Sequence, residues 1–575
     1  MYENQPWLAH FGETPASLDY PALSVYGMFR KNSESCPNAD ALIFYGKRTG
    51  RLLLDKQIIH MSRKFSQIGI NKGDTVIICL PNIPQAVVSL YALNRLGAIP
   101  APVHPLSAPG EIVSFSKLIS AKTAITLDGF YPRFAGIMEN SGLEKVIVCS
   151  IKTEMKFPEK IGFLLGPGRG IKPVPYSDTV LSWAELASGG AGETEPPELK
   201  NPDPIGADEM ALILFSGGST AEPKAIMLSN RNCNALAMQM NAAGGPVVNP
   251  GETMLSILPI FHGFGLAVGI HAMLINSGTC ILVPKFKADT LAGLIKKYKP
   301  QFMAGVPSLY DALAADRKFN KIRLDSFTGI FCGGDSLPRE IKRRFDEVLL
   351  KGGSRNMLRE GYGLTESVTA CAIMPRAEFR EGSFGVPCPD NWLKVVKTGT
   401  EEECAAMEDG EICVSGQTIM LGYYNDPAAT AEVLKKHKDG RIWLHTGDIG
   451  CMDKDGFFYF RQRAKRIIKT SGIAVYPSHV EAALNKHPAV RLSCVIGTPH
   501  ESRGEVPKAY VTLNDGYEGT DELIREIQES CKNELMPYSR PRSIEFIEEM
   551  PMTRVGKVAY RVLEEREQKK KNELS

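Results

Sequence analysis

Short apolar segments alternate with amphipathic ones along much of this chain, and this alternation restricts its fold more than any other feature. Val76–Leu80 has the length and β-branched content of a buried strand, and Pro84–Leu96 has helical spacing and ends at Gly97. Ala124–Leu127 and Lys145–Val148 are predicted as further strands. A strand–helix–strand order of this kind predicts an α/β fold with stacked, mostly parallel αβα sheets.

The same alternation resumes from Met210 to Gly334, after residues 153–207, which are rich in Pro, Gly and charge and are predicted to form surface connections. Beyond Glu360 the pattern changes. Glu411–Gly416 and Gly456–Phe460 are predicted strands of a small β unit.

The length of 575 residues exceeds what one hydrophobic core usually holds, so a further folded unit is expected. Helix and strand patterns alternate again from about residue 464, over roughly 110 residues. We therefore predict an N-terminal domain over residues 1–463 and a smaller, mobile α+β domain over residues 464–575.

Charge and cysteine content narrow the classes of function. A net charge of +2 provides no field for nucleic acid, so no nucleic-acid partner is expected. The 13 cysteines include no Cys-x-x-Cys pair, which argues against a disulfide framework or a zinc site and fits reduced thiols in a cytoplasmic protein. The first residues also lack the basic and apolar blocks of a signal peptide.

One uncharged stretch, Thr253–Pro284, raises the question of a membrane segment. Pro259, His262 and several glycines interrupt it, whereas a spanning helix needs roughly 20 predominantly apolar residues in one run. We therefore predict buried core elements here and no transmembrane segment. Peripheral contact with the inner face of a membrane stays open if the substrate is a lipid.

The strongest local motif follows the predicted strand Ala211–Phe215 directly. Hydroxyls, flexible backbone amides and a lysine come in close succession, and they can direct N–H and O–H groups at phosphate oxygens. The residues concerned are Ser216, Gly217, Gly218, Ser219, Thr220 and Lys224. No Gly-Lys-Ser/Thr sequence closes the loop, so it is not a Walker motif, and taken alone it is more often only a turn.

Three later motifs add to this loop. Gly361–Ser367 offers an aromatic ring, a hydroxyl and a carboxylate within a few residues, which suit a purine, a phosphate and Mg²⁺. Trp443–Asp448 places an acid where it can hold a ribose diol. Pro551–Lys557 places a lysine directly after a glycine. Each motif alone is equally explained as a polar loop.

Together, in this order and at these intervals, the motifs resemble the adenylate-forming superfamily of acyl-CoA synthetases, luciferases and peptide-synthetase adenylation domains. The resemblance covers nearly the whole chain and includes Pro259–Gly265, Gly382–Pro387 and Arg463–Glu481. It is strongest to bacterial long-chain fatty acid–CoA ligases. The resemblance implies ATP, Mg²⁺ and coenzyme A as cofactors and co-substrates, and a carboxylic acid as substrate.

The resemblance also implies roles for individual residues. Lys557, Thr365 and Glu366 would be catalytic, with Lys557 at the reacting carboxylate, Thr365 at the α-phosphate and Glu366 as the Mg²⁺ ligand. The remaining roles are nucleotide and thiol binding for Ser216, Gly217, Gly218, Ser219, Thr220, Lys224, Gly334, Tyr362, Asp448, Arg463 and Gly472, the acyl pocket for His262, Gly265 and Gly333, and the domain hinge for Lys465.

The implied chemistry has two steps. The carboxylate attacks the α-phosphorus of ATP, which gives an acyl-adenylate and pyrophosphate, and the site must neutralise the charge that gathers on the phosphate. A thiol then attacks the acyl carbon and releases AMP. In the resembled family the C-terminal domain rotates between the two steps and withdraws the lysine.

Several residues depart from the family pattern. Ala221 and Ala225 replace usual glycines, Arg466 replaces the usual acid beside the hinge, His479 replaces a glutamate, and Tyr560 stands where an arginine is common. A left-handed conformation at Ala221 would cost roughly 1–2 kcal/mol. These changes affect efficiency and acceptor identity rather than fold.

The substrate is predicted to be a medium- or long-chain fatty acid. Ile257–Leu266 has no acidic residue to pair an α-amine, and small residues such as Gly265, Ala304 and Gly333 leave room for an acyl tail. His262 is equally well explained as a core histidine held by hydrogen bonds. Two alternatives remain: transfer to acyl carrier protein instead of coenzyme A, and a low-activity or non-catalytic nucleotide-binding homologue.

Overall fold

A computed structural model describes residues 5–156, 159–166, 168–188, 205–215, 223–244, 248–471, 473–500, 503–532, 534–553 and 556–574. The α-helices of these ranges are α1 (Val25–Glu34), α2 (Arg51–Gln67), α3 (Pro84–Leu96), α4 (Pro109–Leu118), α5 (Tyr131–Ala135), α6 (Met138–Ser141), α7 (Glu159–Leu165), α8 (Trp183–Ala187), α9 (Asn230–Gly244), α10 (Ala272–Ile275), α11 (Ala288–Tyr298), α12 (Pro307–Ala315), α13 (Arg339–Lys351), α14 (Pro427–Val433), α15 (Pro477–Leu484), α16 (Asp521–Cys531) and α17 (Tyr560–Leu574).

The strands are β1 (Asp40–Phe44), β2 (Lys47–Gly50), β3 (Thr75–Cys79), β4 (Ile99–Pro102), β5 (Thr123–Leu127), β6 (Lys145–Cys149), β7 (Val180–Ser182), β8 (Met210–Phe215), β9 (Ala225–Ser229), β10 (Thr253–Ser256), β11 (Thr279–Leu282), β12 (Phe302–Gly305), β13 (Gly329–Cys332), β14 (Arg359–Tyr362), β15 (Ala372–Ile373), β16 (Val386–Pro387), β17 (Asn391–Val396), β18 (Gly410–Gly416), β19 (Gly422–Tyr423), β20 (Leu434–Lys436), β21 (Ile442–Met452), β22 (Phe458–Arg463), β23 (Ile468–Thr470), β24 (Ile473–Val475), β25 (Val490–His500), β26 (Gly504–Leu513) and β27 (Ser543–Phe546).

Two large sheets form the body of the N-terminal part. One has the strand order β16-β15-β14-β13-β12-β10-β11-β1-β2, and the other has the order β4-β3-β5-β6-β7. The contacts from β10 to β14 and all those of the second sheet are parallel. The predicted α/β class with mostly parallel sheets is therefore confirmed.

The second sheet follows the sequence pattern closely. The predicted strand at residues 76–80 is β3, and the predicted helix is α3, which ends as expected at Gly97 with a φ of 77°. Glycine adopts this left-handed conformation without steric cost, which explains the helix stop. The sheet also gains β7 and the buried Trp183 from the region that was predicted to be surface connection only. A strand of three residues is too short to give a pattern.

Strands β8 and β9 depart from the parallel arrangement that the alternation predicted. They pair antiparallel, with Phe215 opposite Ala225, and β19 joins them on the other side of β9. A connection of nine residues explains this, because a parallel crossover requires a dozen or more. The predicted phosphate loop is therefore the connection between the two strands of a hairpin.

A small antiparallel sheet follows the large ones. Its order is β17-β18-β21-β20, with β22 beside β21, and the strands predicted at residues 411–416 and 456–460 correspond to β18 and β22. The 3₁₀ turn Ala464–Arg466 then leads into a separate sheet of order β24-β23-β26-β25, with β27 beside β26. The predicted domain boundary after residue 463 lies at this turn.

The uncharged stretch at residues 253–284 is buried, as predicted. It contains β10, a π-helix at Phe264–His271, α10 and β11. Among the described residues, no helix is both long and apolar enough to cross a membrane. All 13 cysteines are free thiols, and every one except Cys36 is buried.

Candidate active site

The candidate site lies at the carboxyl ends of the parallel strands of the largest sheet. Gly333 and Gly334 follow β13 directly, and β14, which runs parallel to β13, ends at Tyr362. Loops at this edge of a parallel sheet are the usual place for ligands in open α/β folds. Gly334 has a φ of +86°, so a side chain at this position would be strained, and the backbone there passes beside Lys557.

A strained turn carries Thr365 and Glu366. Both belong to a 3₁₀ turn that ends at Val368, whose φ of 64° is unusual for a β-branched residue. The turn is held by close backbone packing, since a Cβ on Gly263 would lie 1.9 Å from the Val368 carbonyl oxygen. Strain of this kind costs on the order of 1–3 kcal/mol and persists only where the surroundings impose it, often at functional sites.

Tyr362, Asp448 and Arg463 form one group, joined by a hydrogen bond and an ion pair. The Tyr362 hydroxyl donates to Asp448 Oδ2 at 2.6 Å, and Arg463 Nε lies 2.8 Å from Asp448 Oδ1. Asp448 and Arg463 are direct partners across β21 and β22. The Arg463 N–H is not aligned on Oδ1, so this buried oxygen keeps its capacity to accept a hydrogen bond. Burial raises the pKa of Asp448, and the Arg463 charge opposes that rise.

The Tyr362 ring is itself part of an aromatic group. It stacks on Phe384 with centroids 4.4 Å apart and an interplanar angle of 24°, and Phe460 lies 6.4 Å away. One face is thus supported by protein, and the ring also lines the cavity described below.

Glu366 connects to the end of the phosphate loop through Tyr423. The Tyr423 hydroxyl donates to Glu366 Oε1 at 3.0 Å, and the Lys224 ammonium lies 4.3 Å from the centre of the Tyr423 ring. Ser216, Gly217, Gly218, Ser219 and Thr220, together with Ala221, lie outside the described residues. Ala225 lies in regular strand β9 opposite Phe215, so its backbone does not require glycine.

Lys557 reaches this group from the C-terminal part of the chain. The Ser308 hydroxyl donates to the Gly556 carbonyl oxygen at 2.9 Å, which joins the two parts beside the lysine. Burial lowers the pKa of Lys557, while the carboxylates of Asp335, Asp448 and Glu366 act in the opposite direction. The lysine therefore shares the electrostatic environment of two residues that the sequence also assigned to the site.

His262 borders the same site. Its Nδ1 accepts a hydrogen bond from the Phe264 backbone N–H at 3.2 Å. Burial, together with the positive charge of Lys557, lowers the pKa of His262 to about 4. The imidazole is therefore neutral near pH 7.

A largely apolar cavity extends from this site into the N-terminal core. The space between its lining atoms, including its open mouth, is about 770 Å³. The wall beside the site includes Gly333, Gly334 and Tyr362. The other lining side chains include Met240, Asn241, Val248, Met254, Phe264, Val268, Met273, Asn276, Phe331 and Ile373.

The predicted acyl-pocket residues are distributed unevenly around this cavity. Gly333 lines it, whereas Gly265 packs against the preceding turn, since a Cβ there would lie 2.2 Å from the Pro259 carbonyl oxygen. The part of the wall on α9, the π-helix and α10 was not assigned from the sequence. An uncharged helix of Gly, Ala, Val and Leu immediately after the His-Gly motif is the signal that could have indicated it.

Two departures from the family pattern contact one another near the predicted hinge. The Arg466 guanidinium lies 4.6 Å from the centre of the Tyr560 ring and pairs with Glu481 at 2.7 Å. Lys465 lies in the turn before them, and no position is described for its side chain or for Gly472. Arg466 and Tyr560 thus form one packed unit within the C-terminal part.

Comparison with known proteins identifies the class. The profile of the AMP-binding enzyme family matches residues 29–424, and that of the AMP-binding enzyme C-terminal domain matches residues 479–557. The first match spans more than half of the chain, and the chain belongs to the AMP-binding enzyme family.

Curated relatives match over nearly full length. A long-chain-fatty-acid–CoA ligase of Bacillus subtilis is 32% identical over 569 residues, which is 99% of each chain. A ligase of the same name from Salmonella typhimurium is 31% identical over 89% of this chain and 90% of its own. A probable 4-coumarate–CoA ligase 3 of Dictyostelium discoideum is 30% identical over 86% of each chain.

Solved structures share the fold. The anthranilate CoA ligase AuaEII in complex with anthranoyl-AMP aligns with a TM-score of 0.79 and 22% identity, over 95% of this chain and 98% of its own. ATP-bound MatB from Rhodopseudomonas palustris aligns with a TM-score of 0.80 and 22% identity, over 94% and 98%. At this identity the likeness supports the fold alone, which is that of adenylate-forming enzymes.

Proposed function

We propose that the protein is an AMP-forming acid–CoA ligase that activates a medium- or long-chain fatty acid. The names of the curated relatives support this reaction class, but they include both fatty acid and coumarate ligases. The identity of the acid therefore has to be argued from the cavity of this chain.

The apolar cavity is the observation that carries the proposal. No Asp, Glu, Lys or Arg is among its described lining residues, so a second carboxylate or an amine on the substrate would find no charged partner there. Burial of a methylene-rich chain in such a cavity is favourable by about 0.8 kcal/mol per CH₂.

The polar side chains of the cavity wall support the same acid. Asn241 donates to Asn276 Oδ1 at 2.9 Å and accepts from the Val248 backbone N–H at 2.9 Å. The Asn276 amide donates in turn to the Ala272 carbonyl oxygen at 2.7 Å. Because these amides satisfy one another, they do not demand a polar group on the substrate.

The first half-reaction assigns a task to each residue group. The substrate carboxylate attacks the α-phosphorus of ATP, the bond to the β-phosphate oxygen breaks, and acyl-AMP and pyrophosphate result. Lys557 would neutralise charge at the carboxylate and α-phosphate, with Thr365 as a hydroxyl donor. Asp448 and Arg463 would hold the ribose, Tyr362 the adenine, and Gly334 would let the nucleotide approach the backbone.

The carboxylate of Glu366 fits a Mg²⁺ ion, because oxygen is the ligand that this cation prefers. Tyr423 occupies only one of its two carboxylate oxygens. Mg²⁺ would supply charge neutralisation between the phosphates. The loop Ser216, Gly217, Gly218, Ser219 and Thr220, with Lys224, is proposed to hold the β- and γ-phosphates.

In the second half-reaction the thiol of coenzyme A attacks the acyl carbon, AMP leaves with the electron pair of the broken bond, and the thiol proton passes to solvent or base. We propose that Lys465 is the hinge for a rotation that withdraws Lys557, and that Gly472 lies beside the thiol path. The adenylate-forming arrangement, with Lys557 beside Gly334, would be the state in which the first half-reaction occurs.

The proposal is tested with purified protein, ATP, Mg²⁺ and coenzyme A against straight-chain acids from acetate to oleate and against benzoate and coumarate. AMP release should be fastest with acids of medium or long chain. Fastest turnover with an aromatic or short acid would reject the fatty acid, and no pyrophosphate exchange with any acid would reject the activity itself.

The thiol acceptor is tested in the same assay by replacing coenzyme A with acyl carrier protein. Coenzyme A should support turnover at lower concentration. Preference for the carrier protein at micromolar concentration would instead favour an acyl–acyl-carrier-protein synthetase with the same adenylation chemistry.

A further inference from the structure

Helix α7 exposes an apolar face to solvent. Ile161, Leu164 and Leu165 stand at spacings of three and four residues and therefore share one side of the helix. Their exposed fractions are 42%, 44% and 75%. Such spacing normally marks the buried side of a helix, so the orientation of α7 is the reverse of the usual one.

The opposite side of α7 packs on the turn that directly follows the helix. The Phe163 ring covers Gly168 so closely that a Cβ there would lie 2.6 Å from the ring. The Gly168 backbone N–H also donates to the Phe163 carbonyl oxygen at 2.8 Å and closes the helix. Phe163, which is two residues from both Ile161 and Leu165, therefore lies on the side of the helix away from the exposed face.

Basic residues flank this apolar face in the sequence. Residues 151–172 contain two acids, Glu154 and Glu159, and Glu154 is paired with Lys47 at 2.7 Å. The same segment contains five exposed basic residues, Lys152, Lys156, Lys160, Arg169 and Lys172. The whole chain carries only +2, so this segment concentrates positive charge around an apolar surface.

We propose that the α7 face, formed by Ile161, Leu164 and Leu165, docks on the surface of a membrane that contains anionic phospholipid. Leucine side chains enter the boundary between headgroups and acyl chains, and flanking lysines and arginines meet the anionic headgroups. A helix of seven residues is only about 10 Å long, which suits a position in the plane of the interface rather than across the bilayer.

Charge favours this occupant over a second copy of the chain. A symmetric dimer through α7 would bring two basic segments together, and like charges at close range oppose association. An anionic surface instead attracts each basic side chain by about 1 kcal/mol near the membrane. The proposal goes beyond the acid–CoA ligase reaction and does not depend on it.

The experiment measures flotation of the full chain with vesicles of phosphatidylcholine alone and with vesicles of equal parts phosphatidylcholine and phosphatidylglycerol. The protein should bind the second kind and be released by high salt. Replacing both leucines, Leu164→Glu and Leu165→Glu, should lower the vesicle-bound fraction on the order of tenfold or more. Lys160→Glu with Arg169→Glu should weaken binding to the anionic vesicles only.

Leu350→Glu is the matched control. Leu350 is 54% exposed on α13, whose charges pair with one another within the helix, so this variant should bind vesicles like the wild type. Equal binding by all variants, or no binding by the wild type, would overturn the proposal. The proposal would also be overturned if the wild type were a dimer, and the α7 leucine variant became a monomer but bound vesicles like the wild type. Thermal melting checks that each variant folds, and the vesicle assay needs no turnover.

Discussion

Replacement of Lys557 by Met tests the site most directly. Methionine keeps the length and apolar stem of the side chain but removes the charge that we assign to the carboxylate and α-phosphate. Burial lowers the pKa of Lys557, so the charge acts where solvent screens it poorly. Loss of one such contact typically raises the barrier by about 3–4 kcal/mol, which corresponds to a hundredfold to thousandfold slower adenylation.

Four measurements separate this role from a structural one. ATP–pyrophosphate exchange should fall by that factor, whereas thioester formation from supplied acyl-AMP should stay within about threefold, because the proposed rotation withdraws the lysine in the second step. Thermal stability should stay equal or rise, since a buried ammonium is costly to the folded state. The adenylation rate of the wild type should begin to fall at a pH below the usual pKa of lysine, because Lys557 loses its positive charge as pH rises through its lowered pKa.

The expected contrast lies between the two half-reactions. If both fell equally in a fully folded variant, a lysine that acts only in the first step would be refuted. A loss of less than tenfold in exchange would remove Lys557 from the charge-neutralising role, whatever the acid used.

Three further predictions concern residues around the site and the core. Tyr362→Phe keeps the stacking on Phe384 but removes the 2.6 Å hydrogen bond to buried Asp448. The free energy of unfolding in urea should fall by about 2 kcal/mol, and an unchanged value would mean that this hydrogen bond does not stabilise the fold. Met273→Trp should fill the cavity and lower kcat/KM for oleate at least about tenfold relative to hexanoate, while Met357→Trp, at an exposed position, should leave that ratio unchanged. Burial lowers the pKa of His271 to about 3, so on acidification the unfolded chain binds a proton at this histidine before the folded chain does. The free energy of unfolding should therefore fall as pH drops below about 6.5, by about 2 kcal/mol at pH 5. His271→Gln should flatten this pH dependence in denaturant titrations, and an equal pH dependence in both proteins would contradict the assignment.

The parts of the fold that were predictable are those in which local pattern and tertiary environment agree. Helix α3 begins at a proline, runs to Leu96 and stops at a left-handed glycine, and the sequence pattern predicts each of these features. Strand β7 was missed because three residues carry no periodicity, and its place is decided by pairing with β6. The antiparallel pairing of β8 and β9 depends on the length of their connection, which hydrophobic patterning does not report.

The candidate site also has a part that could be predicted from the sequence and a part that could not. Tyr362, Glu366, Asp448 and Lys557 stand in motifs whose polar residues are conspicuous in sequence, and the structure brings them together. Their roles remain predictions. The cavity wall could not be predicted, because its side chains are ordinary core residues, and only the packing of distant elements, among them α9, the π-helix and the strands of the largest sheet, brings them around one space.

Three methionines among the cavity-lining residues, Met240, Met254 and Met273, have a further consequence. Their unbranched thioether chains rotate at little cost, so the wall can adapt to acyl chains of different length and unsaturation. Each sulfur can also be oxidised to a sulfoxide, which is polar and chiral. Such oxidation would impair the accommodation of long acyl chains, whereas the ribose contacts proposed for Asp448 and Arg463 and the Mg²⁺ site proposed at Glu366 contain no sulfur. Oxidative damage would then change which acids are accepted before it stopped the use of ATP.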